Sequence, residues 1–539
     1  MSDIHPVESR TEKAVCVVLF ILAILLAVWL RFDQIGIKPL HHDEGVNSYF
    51  LLNLAKSDGD YRYNPENYHG PSLYYFALAA MKVFGQSDLA LRFSPALFGV
   101  LSVLLLWPLR RHLGTIGAPA GAFFMALSPG LVYYSRDFIH EMPFACFGLG
   151  IIAGAWRYAE SKQFVWLALA AVSLALMVAT KETVIINLAV MLIAAVCAAV
   201  WDAARKLSHD RMLTSGNLAR ALKRDTRAIA PTLDHAMAAS IIVVFIHILL
   251  YSSLFKHWQG PLGFFRSILH WTKERSSHDH LHPVYYYLGI LFKLELPLVI
   301  GSLLGGVIVL LKGTRFWLFM AASTLGTTLA YSIIPYKTPW LMVSFLVLMA
   351  VMCGYATEQI HRLFAGDSMM SLKLLWGATI ATFLVASGQM AWRVNFEKHD
   401  DNANASGYFT ALGRQLSFKP YVDGQYGYVY AQTDRDFLFL VEAIRSRAEK
   451  LPTGKHTGIY VASPDYWPLP WYLRDYDQAG FTGSLPPGDP PQITQPIIVA
   501  KESQRGELDK LPNFHAATQP FKLRPGVELL LYTRSDASQ

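Results

Sequence analysis

The sequence predicts an α-helical polytopic membrane protein that carries a small α/β domain at its C-terminal end. Three observations predict it. Of 539 residues, 53% are hydrophobic and only 16% are charged, against about 25% charged in a soluble domain. The deficit is concentrated in long runs with almost no charge, each long enough to cross a bilayer of ~30 Å as a helix. And after about residue 393 the composition changes to a polar, turn-rich sequence long enough for one small domain.

The first apolar run is 14–30. Arg10 and Lys13 precede it, as in a secretory signal. Its apolar core is too long for that, however, and no small-x-small cleavage site follows before Arg31 and Phe32, so a retained first span is expected. Further runs lie near 89–109, 115–133, 140–156, 163–180, 183–201, 236–254, 284–311, 316–334, 338–360 and 373–392, giving about eleven transmembrane helices.

Orientation follows from the basic residues. With the N-terminus inside, five loops fall on the cytoplasmic side. They carry Arg110 and Arg111, Arg157 and Lys162, a cluster within 202–235 (Arg205, Lys206, Arg211, Arg220, Lys223, Arg224, Arg227), Lys312 and Arg315, and Arg362 and Lys373. Every one is basic, which orients the chain with the tail outside the inner membrane. The net charge of +7 is thereby accounted for without a nucleic-acid partner. Cys16, Cys146, Cys197 and Cys353 all fall in predicted spans without metal-ligand spacing, and read as small apolar residues, not as a disulfide framework.

The expected division is a membrane domain over 1–394, with outer loops 32–88 and 255–283, followed by an extracytoplasmic α/β domain over 395–539. In the tail, strands are expected at 427–432 (GYVYAQ), 458–463 (GIYVAS), 496–500 (PIIVA) and 528–533 (ELLLYT). Asp434 caps a helix with apolar Phe437, Leu440, Val441 and Ile444.

The charged outer corners carry the chemistry. His42, Asp43 and Glu44 stand just outside the first span. In the second outer loop Asp137 and Glu141 are four apart, on one face of a helix, with Arg136 and His140 nearby. Lys181-Glu182 and Tyr336-Lys337, the latter followed by Trp340, are corners squeezed between apolar runs. Charged residues at short corners on one membrane face tend to line a shared cavity. Carboxylates together with Arg136, Lys181 and Lys337 suit the transfer of a sugar from a lipid phosphate: a cation neutralises the leaving phosphate, and one carboxylate takes the proton of the attacking hydroxyl. Glu66 and His69 in the first outer loop, with His278 and His280 in the fourth, are candidate ligands of a divalent metal (Zn, Mn or Mg). The outer tyrosines are expected mainly as an interfacial belt. Tyr466–Tyr472 (YWPLPWY) is either core of the tail or its docking surface.

Asp43-Glu44 after the first span, the Asp137 to Glu141 pair, the basic corner before Trp340 and Arg92–Gly99 (RFSPALFG) resemble the C-type superfamily of membrane glycosyltransferases, which includes the protein O-mannosyltransferases and the lipid A aminoarabinose transferases. His41–Gly45 (HHDEG), Tyr68–Pro71 (YHGP), Lys181–Thr183 (KET), Tyr336–Trp340 (YKTPW) and Trp467–Arg474 (WPLPWYLR) resemble more narrowly a bacterial and archaeal family known as flippase-associated. The resemblance implies a polyprenyl-phosphate-linked sugar donor and inverting transfer to a glycan, lipid or protein acceptor. It makes Asp43 the general base and Asp137 or Glu141 the second acidic position. It also implies a metal bridging the first outer loop and a later one. A non-catalytic flippase or flippase partner is the alternative. It needs a polar path through the spans, where only Lys293 and Glu295 stand, two apart and so on different helix faces.

Overall fold

A computed structural model describes residues 9–67, 69–274, 281–364, 369–399, 407–408 and 427–535. Helix α1 (Arg10–Phe32) starts at a capping box in which Ser9 and Glu12 each accept the other's backbone N–H. It leads into the long first loop, which holds α2 (His42–Lys56) and α3 (Ser72–Phe84). Then come α4 (Asp88–Leu104), the bent pair α5 (Arg110–Leu127) and α6 (Pro129–Ser135), α7 (Glu141–Ser161), α8 (Phe164–Val178) and α9 (Val184–His209). The basic segment contains α10 (Ser215–Ile229). It is followed by α11 (Leu233–Tyr251), α12 (Gly260–Glu274), the second bent pair α13 (Tyr286–Leu294) and α14 (Leu296–Lys312), and α15 (Arg315–Ile333), α16 (Val343–Leu363) and α17 (Met370–Trp392).

Each of the apolar runs in the sequence lies on a helix or a bent pair. Among the described residues, six helices are long and apolar enough to cross a membrane, or eight if each bent pair crosses as one. The difference from about eleven arises at α4, α7 and α8. Helices α4 and α8 have 17 and 15 residues, short of the ~20 that a span needs, and α7 carries Glu141, Arg157 and Glu160.

The two bends meet. Helices α5 and α6 break by 58° at Ser128, and α13 and α14 by 107° at Glu295. The Glu295 carboxylate accepts the Ser128 hydroxyl at 2.8 Å and the Gly130 N–H at 2.7 Å. It thereby satisfies backbone that the break would otherwise leave bare. Helix α16 lies at the centre of the bundle against α5, with Leu346, Ala350 and Val351 fully buried.

The tail forms a mixed sheet of β1 (Ile459–Val461), β2 (Ala479–Phe481), β3 (Ile497–Lys501), β4 (Phe514–Ala516), β5 (Phe521–Arg524) and β6 (Val527–Arg534). The order is β2-β1-β3-β6-β4, parallel across β2, β1 and β3 and antiparallel onto β6, with β5 also pairing β6. Helix α18 (Asp436–Glu449) buries Phe437, Leu440, Val441 and Ile444 against it, and the Asp434 carboxylate accepts the Asp436 N–H.

One expected strand does not form. Residues 427–432 carry no sheet pairing. Their polar groups bond instead to the membrane domain: Tyr134 donates to the Tyr428 carbonyl, the Tyr428 hydroxyl to Glu295, and the His42 N–H to the Ala431 carbonyl. An alternating apolar pattern marks burial, and here the burial is against the helices, not in a sheet.

Candidate active site

The loop between α6 and α7 is the hub of the face that bears the tail, because nearly every residue from 136 to 141 grips a different element. The Arg136 guanidinium donates to the carbonyls of Leu30, Asp33 and Gln34, closing the C-terminal end of α1. Asp137 pairs with Lys38, whose ammonium also lies over the Tyr133 ring. The Phe138 N–H donates to Glu44 at 2.8 Å and its carbonyl accepts from Asn47 at 2.9 Å. The His140 ring packs against His69 and Tyr74. Glu141 accepts from Lys181 at 2.5 Å.

Glu44 is the anchor of the first loop. It is fully buried and takes two bonds of 2.7 Å from Arg92 of α4, whose remaining N–H groups reach the carbonyls of Ile35 and Lys38. It also accepts the His41 N–H. Burial alone would raise this carboxyl. The Arg92 charge and hydrogen bonds outweigh it and hold the group well below the usual carboxylate range.

Further around the site, Glu182 accepts from His69 at 3.1 Å, while the Gly70 and Ser72 N–H groups donate to the carbonyls of Thr180 and Ala179. Gly70 is required there: a Cβ would stand 2.1 Å from the Ala179 oxygen. Lys181 lies above the usual lysine range, because Glu141 and Glu182 overcome its burial. At the 335–340 corner, the Lys337 ammonium donates to the carbonyls of His282 and Ile334 at 2.8 and 2.7 Å. Its burial pushes it below the usual lysine range. Leu281 bridges to Tyr336, and Trp340 meets His41 edge-on at 6.2 Å and Tyr430 at 4.8 Å.

The tail domain sits on the first loop. Tyr472 accepts the Leu40 N–H, Gln432 donates to Pro39 and the Trp471 indole to Asp88. Leu469 and Leu473 lie in the core of the tail while Trp471 is buried in the membrane domain, so the YWPLPWY segment is both core and docking surface. Gly45 lets it in: a Cβ there would be 2.7 Å from Pro468 Cα.

Asp43 differs from all of these. It stands in the first turn of α2, half-buried, and among the described residues its carboxylate makes no hydrogen bond or ion pair. Its neighbour His42 faces the tail, with Trp467 edge-on at 6.4 Å.

Residues 68–221 match the family described as dolichyl-phosphate-mannose-protein mannosyltransferase. Among curated proteins, none matches the chain. Among solved structures the chain is similar to ArnT from Cupriavidus metallidurans in the apo state, at 13% identity and TM-score 0.58, over 97% of this chain and 98% of that one. The same enzyme bound to undecaprenyl phosphate matches at 13% identity and TM-score 0.56, over 97% and 99%. The oligosaccharyltransferase AglB from Archaeoglobus fulgidus, in complex with an inhibitory peptide and a dolichol-phosphate, matches at 12% identity and TM-score 0.56, over 92% and 70%. The fold is therefore the one that ArnT and AglB share, the fold expected of the C-type superfamily.

The structure gathers Asp43, Glu44, Asp137 and Trp340 around His41, and His69 and Lys181 around His140, with Glu182 on His69 and Glu141 on Lys181. Arg136, expected to bind substrate, spends its donors on backbone carbonyls. The expected metal set is not assembled among the described residues: Glu66 is exposed, His69 is turned to Glu182, and no group of three or more His, Cys, Asp or Glu is placed to hold an ion. His278 and His280 lie outside the described residues. The outer tyrosines are mostly core instead of belt, with Tyr74, Tyr133, Tyr134, Tyr286 and Tyr287 at most 1% exposed. Sequence reasoning missed the pairing roles of Lys38 and Arg92 and the reach of the tail to His42. Each of these contacts joins segments far apart in the chain, so no local pattern announces it.

Proposed function

We propose that this chain transfers a sugar, with inversion, from a polyprenyl-phosphate-linked donor to a hydroxyl or amine of its acceptor, on the extracytoplasmic side of the inner membrane, with Asp43 as general base. The acceptor atom attacks the anomeric carbon and its proton passes to Asp43. The bond from the anomeric carbon to the phosphate oxygen breaks, and the lipid phosphate leaves with that electron pair. Lys337 is the cation assigned to the departing phosphate: it donates to carbonyls and, among the described residues, meets no carboxylate. Arg136 also donates to carbonyls but has the Asp137 and Asp33 charges beside it, and Lys181 is engaged by Glu141. Glu44 and Asp137 then position the loop that carries Asp43.

The observation that carries this reading is the contrast among the carboxylates. Glu44, Asp137, Glu141 and Glu182 are all committed to a cation or a histidine, and Asp43 alone of the five is uncommitted among the described residues. A general base needs a lone pair open to the acceptor. The relatives captured with undecaprenyl phosphate and dolichol-phosphate support the donor class, and the basic loops opposite the site support its side of the membrane.

The test is Asp43→Asn in the purified full-length protein, assayed with a panel of hexosyl and pentosyl polyprenyl phosphates. Transfer should fall by about 10²–10⁴-fold with the melting temperature unchanged. Wild-type turnover by a folded Asp43→Asn protein refutes the assignment.

A further inference from the structure

The residue next to the proposed base is held by the other domain. The His42 Nδ1 lies 3.4 Å from Arg524 Nη1, at the end of β5. The second arm of that guanidinium bonds Asp465 Oδ1 at 2.9 Å, and Asp465 Oδ2 accepts from Lys501 at 2.6 Å. Asp465 follows β1 and Lys501 ends β3, so three parts of the tail sheet converge on one histidine of the membrane domain. A guanidinium only donates, so His42 Nδ1 must be the acceptor and its proton must sit on Nε2.

Resting on the reading of Asp43 above, we propose that Arg524 is a positioning residue of the reaction centre: it fixes His42 as a neutral ring, protonated on Nε2, so that Asp43 stays unpaired. A protonated His42 would offer Asp43 an ion pair and take up the lone pair that the acceptor proton needs. The tail domain is on this account part of the catalytic unit, not an appendage. The groups facing His42 are Asp43 and His41 on its own helix and Arg524 and Asp465 from the tail. Burial comes first in keeping His42 below the usual histidine range. Asp43 and Asp465 oppose it, and Arg524 and His41 reinforce it. The tail is held to the first loop by other bonds too, those of Tyr472, Gln432 and Trp471. Loss of the guanidinium therefore leaves the docking in place.

The experiment is carbethoxylation of His42 by diethylpyrocarbonate across pH, read by mass spectrometry on the full-length protein in lipid nanodiscs, since only neutral imidazole reacts. Arg524→Gln should raise the pH of half-maximal reaction by about one unit, while Arg524→Lys, which keeps the cation, should leave it near wild type. The acid limb of transfer should move up with it in Arg524→Gln. An unchanged midpoint in Arg524→Gln, an equal rise in both variants, or a raised midpoint with an unmoved acid limb would each overturn the proposal. The labelling readout needs no turnover, so it judges Arg524 even if Asp43→Asn proves active.

Discussion

Two regions of the face that bears the tail treat charge in opposite ways. At the 136–141 loop, every carboxylate and cation is matched: Asp137 with Lys38, Glu141 with Lys181, Glu44 with Arg92, and Arg136 with the end of α1. At the lip between α2 and the tail, Asp43 is left over among the described residues and His42, Trp467 and Arg524 are only half-buried. A charge enclosed by apolar helices must be paired, because an unpaired one costs several kcal/mol. The matched region is therefore scaffold. The unmatched charge stands half-buried at the lip, where the proposed reaction needs a base.

Breaking the matched region should cost the most. Arg92→Ala strands a buried Glu44 and should remove about 3–5 kcal/mol of stability, far more than Asp43→Asn, whose carboxylate has no partner to lose among the described residues. The pH dependence separates the cases by sign. In the wild type the Glu44 carboxyl is depressed, so the unfolded chain binds the extra proton. The contribution of the pair is complete above the ordinary carboxylate pKa of about 4.3 and lost as pH falls through the folded value. In Arg92→Ala the buried acid keeps its proton in the folded state, so stability should instead decline as pH rises above about 4.3. Thermal melts between mildly acidic and neutral pH read both slopes. Parallel slopes would mean that Glu44 is not held by Arg92.

The seam between the two regions should give an intermediate effect. Gly45→Ala places a methyl group 2.7 Å from Pro468 Cα, a backbone atom that cannot turn aside. A cost of about 1–3 kcal/mol is expected for such overpacking, directed at the docking of the tail. Limited proteolysis should then release the tail while the membrane domain still melts as before. An intact tail at wild-type protease concentration would show that the seam yields elsewhere.

What the sequence reveals divides along the same line. The spans, the tail helix and three of its strands follow from apolar period alone, and the acidic and basic corners stand out because charge is rare around them. Partner assignment is another matter. Arg92 lies 48 residues from Glu44, and Arg524 lies 482 from His42. Neither separation is periodic, and each pairing exists only once the helices have packed. The strand expected at 427–432 failed for a related reason: Tyr428 and Tyr430 alternate as a strand would, but their burial is against Glu295 and Trp340.

The smallest effect should come from removing the charge, but not the oxygen, at the junction of the two bent pairs. Glu295 is buried, yet its bonds to Ser128, Gly130 and Tyr428 all go to one oxygen, Oε1, and all three partners are donors. An amide oxygen accepts the same bonds. Glu295→Gln should therefore cost no more than about 1 kcal/mol, whereas Glu295→Ala orphans three buried donors at about 1–3 kcal/mol each. Melting curves of the two variants decide the point. If Gln is as damaging as Ala, the negative charge itself serves this junction, and the division between paired scaffold and open lip does not extend to the middle of the bundle.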